Sequence, residues 1–203
     1  GFVPVQDLAL ADAIVVNTCA FIGPAKDEAI VNILEAARYK DEGRLKALVV
    51  TGCLAERYRD EIIREIPEVD LVFGTGSVSR VAELTKAFLD GAGPESRVWC
   101  DIPDTVDYLD GTRILSDDKP YAYLKIAEGC SNNCTYCIIP KLRGPYRSRP
   151  VESLIKEAEF LAENGKKEIV LIAQDVTRYG TDLYGDKRLV PLIRAISGIE
   201  GIE

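Results

Sequence analysis

Cys130, Cys134 and Cys137 lie in the run Cys-Ser-Asn-Asn-Cys-Thr-Tyr-Cys, three thiols within eight residues. Cysteines this close are badly placed to pair with one another and are typical of metal ligation in a reducing compartment. A CxxxCxxC loop that follows a strand can wrap three thiolates around one face of a 4Fe–4S cube. Such clusters are normally held by four cysteines, so a three-cysteine loop implies a ligand from outside the protein at the open iron. Zinc is the alternative metal, and it asks for a fourth soft or imidazole ligand nearby. The chain has no histidine, and no fourth cysteine falls within the loop. The remaining thiols are Cys19 in Val-Asn-Thr-Cys, Cys53 in Thr-Gly-Cys and Cys100 in Val-Trp-Cys-Asp.

The absence of histidine excludes Ser-His-Asp and Cys-His nucleophile pairs and a histidine general base. Chemistry at neutral pH is left to cysteine, carboxylate, lysine, tyrosine or a bound cofactor. The 203 residues carry a net charge of −8 and are 47% apolar, which suits one large or two small folded domains and excludes a disordered tail. No run approaches the ~20 apolar residues of a membrane span and no signal-peptide pattern opens the chain, so no membrane partner and a cytoplasmic setting are expected. The chain begins at Gly1 and contains no methionine, which leads us to expect a segment of a longer protein, inactive by itself. Charge is unevenly spread. Residues 119–150 carry six basic side chains (Lys119, Lys125, Lys141, Arg143, Arg147, Arg149) against the single acid Glu128, a local charge of +5.

These residues need elements to position them. Ala13–Asn17 and Lys46–Thr51 are short apolar, β-branched runs expected as buried parallel strands. Asp70–Phe73 is a third. Amphipathic helices are expected from Pro24, over Leu54–Ile66, and over 78–89. Strand–helix alternation predicts an α/β fold with a parallel sheet covered by helices. Residues 91–118, rich in Gly, Pro and Asp, are expected to be an acidic linker between a first domain at 1–90 and a second at 119–203. In the second, Tyr121–Ala127 is expected as a strand, followed by a long loop to Pro150. A helix at 151–164 capped by Gly165, a strand at Ile169–Ala173 and a helix at Leu189–Ile196 complete it. Cys19 and Cys53 both follow strands, 34 residues apart, so both should lie at the carboxyl edge of the sheet as neighbours.

The CxxxCxxC loop, with Tyr136 before its last cysteine, resembles the signature of the radical S-adenosylmethionine (AdoMet) enzymes. Tyr121–Gly129, Ile138–Pro150 and Ile172–Gly180 are similar to the methylthiotransferases of that superfamily, which exchange C–H for C–SCH3. The resemblance implies an N-terminal methylthiotransferase domain, followed by the first βα units of a TIM-type barrel. It implies that AdoMet chelates the open iron of a 4Fe–4S cluster on Cys130, Cys134 and Cys137 and is cleaved to a 5′-deoxyadenosyl radical. It also implies a second, auxiliary 4Fe–4S cluster on Cys19, Cys53 and a third cysteine in a Leu-Gly-Cys motif after an earlier strand, which this chain lacks. Tyr136, Gln174 and Arg149 are the residues expected to contact AdoMet. Arg143, Arg147 and Arg149 either balance an acidic chain or meet a carboxylate or an anionic partner. Cys100 matches no ligand motif of the family and is expected to be a plain thiol.

Two substrates compete. The run Ala173-Gln174-Asp175-Val176-Thr177-Arg178-Tyr179-Gly180 is closer to the RimO-like enzymes, which modify the β-carbon of an aspartate in a small-subunit ribosomal protein. The tRNA adenosine methylthiotransferases (MiaB-like) are the alternative, with tRNA as the partner. An acidic surface suits a basic ribosomal protein better than a nucleic acid. A reductase or flavodoxin-type electron donor and a sulfur donor are the further partners implied. From another class, an iron–sulfur electron-transfer module would need a fourth cysteine ligand.

Overall fold

The computed structural model describes residues 1–93, 95–101, 106–111, 113–115 and 118–203, and it divides into two compact units, Gly1–Pro103 and Asp104–Glu203. Pro94, Pro103, Asp104 and Asp117 of the expected linker lie outside the described residues.

In the first unit, β1 is Ala13–Thr18 and β2 is Ala47–Gly52. All six positions of β2 are buried, as a strand covered on both faces requires, and Ala-Leu-Val-Val-Thr-Gly provides an unbroken run without large polar side chains. Beside it lie β3, Leu71–Phe73, and β4, Val98–Trp99. The order is β1-β2-β3-β4 and every pairing is parallel. The helices are α1 (Gly23–Ala37), α2 (Tyr39–Glu42), α3 (Cys53–Glu65) and α4 (Val81–Leu89). Pro24 opens α1, where a missing N–H is harmless, and Ala29, Ile33, Ala36 and Ala37 are its buried residues. Val49, Leu71 and Phe73 form a core on which Val81, Leu84, Phe88 and Trp99 pack.

The segment expected as a linker is not all linker. Val98–Trp99 adds a fourth strand, held by the Trp99 ring stacking on Phe73 at a centroid distance of 5.0 Å. Two residues among turn formers are too short a run to read as a strand from sequence.

In the second unit, β5 (Tyr121–Lys125) and β6 (Ala127–Glu128) precede α5 (Ile139–Arg143) and β7 (Arg147–Ser148). Then come α6 (Val151–Glu163), β8 (Glu168–Ile172) and α7 (Leu189–Ser197). β5 and β8 pair in parallel, with α6 between them in sequence, so the unit begins with βα repeats of the kind that build a barrel. Gly165, at φ +78°, turns the chain out of α6 as expected of a C-terminal cap. Leu124, Ile126, Leu154, Ala158, Tyr179, Leu192 and Ile196 form one buried core. The stretch expected as an open loop to Pro150 instead contains α5 and the antiparallel β6–β7 pair.

Candidate metal centre

The cysteine loop leaves the second unit through a closed neck. Ala127 pairs with Ser148 and Glu128 with Arg147, so the strands before and after the loop run side by side. The Cys130 N–H donates to the Gly144 carbonyl at 3.1 Å, and the Tyr146 N–H donates to Ser131 Oγ at 3.0 Å. Gly129, at φ +72°, makes this approach possible: a Cβ there would stand 2.1 Å from the Pro145 carbonyl oxygen. The Glu128 carboxylate is 3% exposed. It accepts from Arg143 Nη1 at 3.0 and 3.2 Å, from its neighbour's Gly129 N–H at 3.0 Å, and from Lys125 Nζ. Burial pushes its pKa up, but the charges of Lys125 and Arg143 outweigh burial and hold it below the usual carboxylate range.

Beyond the neck the loop reaches solvent. Cys134 is exposed, and Cys130 and Cys137 are half-buried. Asn133 takes a left-handed φ of +50°, a conformation its short amide tolerates, and the Cys137 N–H donates to the Cys134 carbonyl at 3.0 Å. Among the described residues no group of three or more Cys, Asp or Glu side chains is already gathered for a metal ion. The donor set nonetheless fits an iron–sulfur cluster: three soft thiols on one short loop, with a fixed base and an accessible tip. Gln174 and Asp175 follow β8, and Asp175 Oδ2 accepts from Asn132 Nδ2 at 3.3 Å, tying the cysteine loop to that strand end. Hydrogen bonds from Thr177 and then Asn132 lower the Asp175 pKa. Gln174 is exposed, and Tyr136 is 91% exposed.

Arg149, expected to contact AdoMet, is turned into the second unit. Its side chain is 2% exposed, and all five of its N–H donors have partners within the unit. Nε and Nη2 donate to Asp110 Oδ1, and Nη2 also donates to Ser153 Oγ. Nη1 donates to Glu157 Oε2 and to the Lys125 carbonyl. A guanidinium has no sixth donor, so in this structure every Arg149 donor is engaged by the scaffold. Its neighbours follow suit. Arg143 is bound to Glu128, and Arg147, also buried, donates to the Arg143 carbonyl at 2.6 Å. The basic loop therefore directs these three charges largely inward.

In the first unit, β1 and β2 are aligned through Thr18 opposite Gly52, so Cys19 and Cys53 are the next residues along adjacent parallel strands. Thr18 Oγ1 donates to the Thr51 carbonyl at 2.6 Å. Gly52, at φ +95°, permits the closeness: a Cβ there would meet the Thr18 carbonyl oxygen at 2.4 Å. Cys53 is buried at the start of α3, and Cys19 is half-buried on the outer strand of the sheet. Cys100 follows β4 and so shares this carboxyl edge, a placement hidden until Val98–Trp99 joins the sheet. Its thiol donates to the Ala55 carbonyl at 3.6 Å, and burial, with the Glu56 charge, pushes its pKa up to about 12.

Two family models match the chain: the uncharacterized protein family UPF0004 over residues 1–74 and the radical SAM superfamily over residues 124–202. The chain is 53% identical to the ribosomal protein uS12 methylthiotransferase RimO of Acetivibrio thermocellus, over 98% of its own length and 44% of that protein's. It is 52% identical to the protein of the same name from Lachnoclostridium phytofermentans, over 100% of the chain and 46% of that relative. The chain belongs to the radical-AdoMet methylthiotransferase family.

It spans less than half the length of these methylthiotransferase relatives. Iron–sulfur and AdoMet chemistry follow from membership of the family. The two family models fall on the two structural units, and each matched region contains one set of the cysteines expected to hold iron. Sequence reasoning counted Glu128 only as the lone acid of a basic stretch. That count was itself the available signal, because one buried carboxylate amid six cations is a natural counter-ion.

Proposed function

We propose that the protein to which this chain belongs is a methylthiotransferase that converts C–H to C–SCH3 on the β-carbon of an aspartate in ribosomal protein uS12. What carries the reading is the combination of a neck-closed CxxxCxxC loop at the ends of β6 and β8 with about 50% identity to uS12 methylthiotransferases along the whole chain. Cys130, Cys134 and Cys137 would hold a 4Fe–4S cluster with one iron left for AdoMet, and Tyr136 on that loop and Gln174 after β8 would contact it. Cys19 and Cys53, with a cysteine beyond this chain, would hold the auxiliary cluster. When bound, these groups supply the electron that cleaves AdoMet and the site that carries sulfur, which side chains alone cannot provide. The protein's part is to hold the three thiolates on a loop of fixed origin and to present the accessible tip to substrate.

A net charge of −8 favours encounter with a basic ribosomal protein. A flavodoxin-type or other reductase, a sulfur donor and a cytoplasmic setting complete the reading. No helix among the described residues is long and apolar enough to cross a membrane. The test offers uS12 and tRNA separately to the full-length enzyme with its clusters reconstituted, AdoMet and a reductant. A uS12 aspartyl peptide heavier by the replacement of one hydrogen with a methylthio group is expected. Methylthiolated tRNA adenosine with unmodified uS12 overturns the substrate assignment.

A further inference from the structure

Glu128 is a buried carboxylate that the ligand set does not use, and its partners come from three parts of the chain. Lys125 precedes it at the end of β5, the Gly129 N–H follows it, and Arg143 closes α5 on the far side of the loop. Tyr108 Oη adds a longer contact at 3.4 Å. Two residues after Glu128 comes Cys130, whose N–H is bonded to Gly144, the residue after Arg143. The carboxylate thus ties the outgoing and returning limbs of the cysteine loop at their closest approach. It also offsets the charges of two cations at the loop's base.

We infer that Glu128 is a positioning residue for the Cys130–Cys137 loop. Its clasp on Arg143 and Lys125 fixes the point from which Cys130 emerges, and its charge keeps those two cations from drawing electrons onto the cluster. The inference rests on the proposed role of these three cysteines as cluster ligands. A buried charge pair that loses one partner leaves the other uncompensated, and net charge near an iron–sulfur cluster helps to set its reduction potential. Removing the carboxylate therefore makes reduction easier, and removing a cation as well reverses that change.

The test compares wild type, Glu128→Gln, Glu128→Asp and the pair Lys125→Gln with Glu128→Gln, each in the full-length protein. One measurement is the midpoint potential of the reconstituted cluster. The other is iodoacetamide alkylation of Cys130 in the iron-free protein, followed by mass spectrometry, with Cys53 as internal reference. Glu128→Gln is expected to shift the potential positive and to alkylate Cys130 about tenfold faster, the loss of one charge-assisted hydrogen bond. The double variant returns the potential toward wild type because the net charge is restored, a recovery that a merely structural role does not produce. Glu128→Asp keeps the charge but not the reach, so it leaves the potential near wild type while alkylation still quickens. Wild-type potential and wild-type alkylation in Glu128→Gln overturn the inference. A wild-type protein that binds no iron on this loop overturns the ligand assignment instead, and the alkylation rates still decide whether Glu128 holds the neck.

Discussion

The six thiols of this chain differ by what surrounds each one. Cys134 is exposed on the loop tip, whereas Cys100 is half-buried with its Sγ directed at the Ala55 carbonyl. Burial, then the charge of Glu56, raises the Cys100 pKa from an ordinary 9.0 to about 12. A thiol in that state is a poor nucleophile and a poor metal ligand, because both roles need the thiolate. At pH 8, in the iron-free chain, Cys100 is therefore expected to alkylate at least tenfold more slowly than Cys134, as mass spectrometry of labelled peptides would show. Equal rates would contradict its placement. The sign of the linked stability follows. Between about 9 and about 12 the unfolded chain gives up this proton while the folded chain keeps it, so the contribution is complete below that window and is lost as pH rises through it.

Among the elements, two glycines matter more than their neighbours because each lets two backbones meet next to a cysteine. Gly52 brings the end of β2 against Thr18, and Gly129 brings β6 against Pro145. In Gly52→Ala a Cβ would lie 2.4 Å from a carbonyl oxygen at a φ of +95°. The substitution is expected to destabilise the first unit by more than about 2 kcal/mol, read as a lowered midpoint in urea. It should also separate Cys19 from Cys53, abolishing any crosslink by a short bis-maleimide, whose two ends each add one thiol. A variant of wild-type stability that still crosslinks would contradict the described turn. Much of this was legible beforehand: apolar runs before Cys19 and Cys53 specified parallel strands, and parallel strands place their following turns on one edge. β4 was not, because its two residues are held by Trp99 stacking on Phe73, a contact that no local pattern announces. Nor was the fate of Arg149. Three of its five bonds go to Asp110 and Glu157, which lie 39 and 8 residues away in sequence. A basic residue beside a cysteine loop reads as exposed until those partners are seen.

At the scale of the molecule, each of two α/β units carries its own set of cysteines at the ends of strands, and the two family models divide the chain in the same way. The division suits the proposed arrangement, with one iron–sulfur site held by the cysteines of each unit. The charge has the same modular character. Residues outside 119–150 carry −13 against the +5 within them, and within them the arginines are turned toward Glu128, backbone carbonyls and the Asp110–Glu157 cradle. The central claim is that the Cys130–Cys137 loop holds a cluster whose fourth iron is open to AdoMet. Its most direct test is the EPR spectrum of the reduced full-length protein before and after AdoMet is added, with Cys19 and Cys53 replaced by Ala so that only this loop can contribute. A spectrum altered by AdoMet is the result expected, and a cluster signal that AdoMet leaves unchanged would contradict the claim.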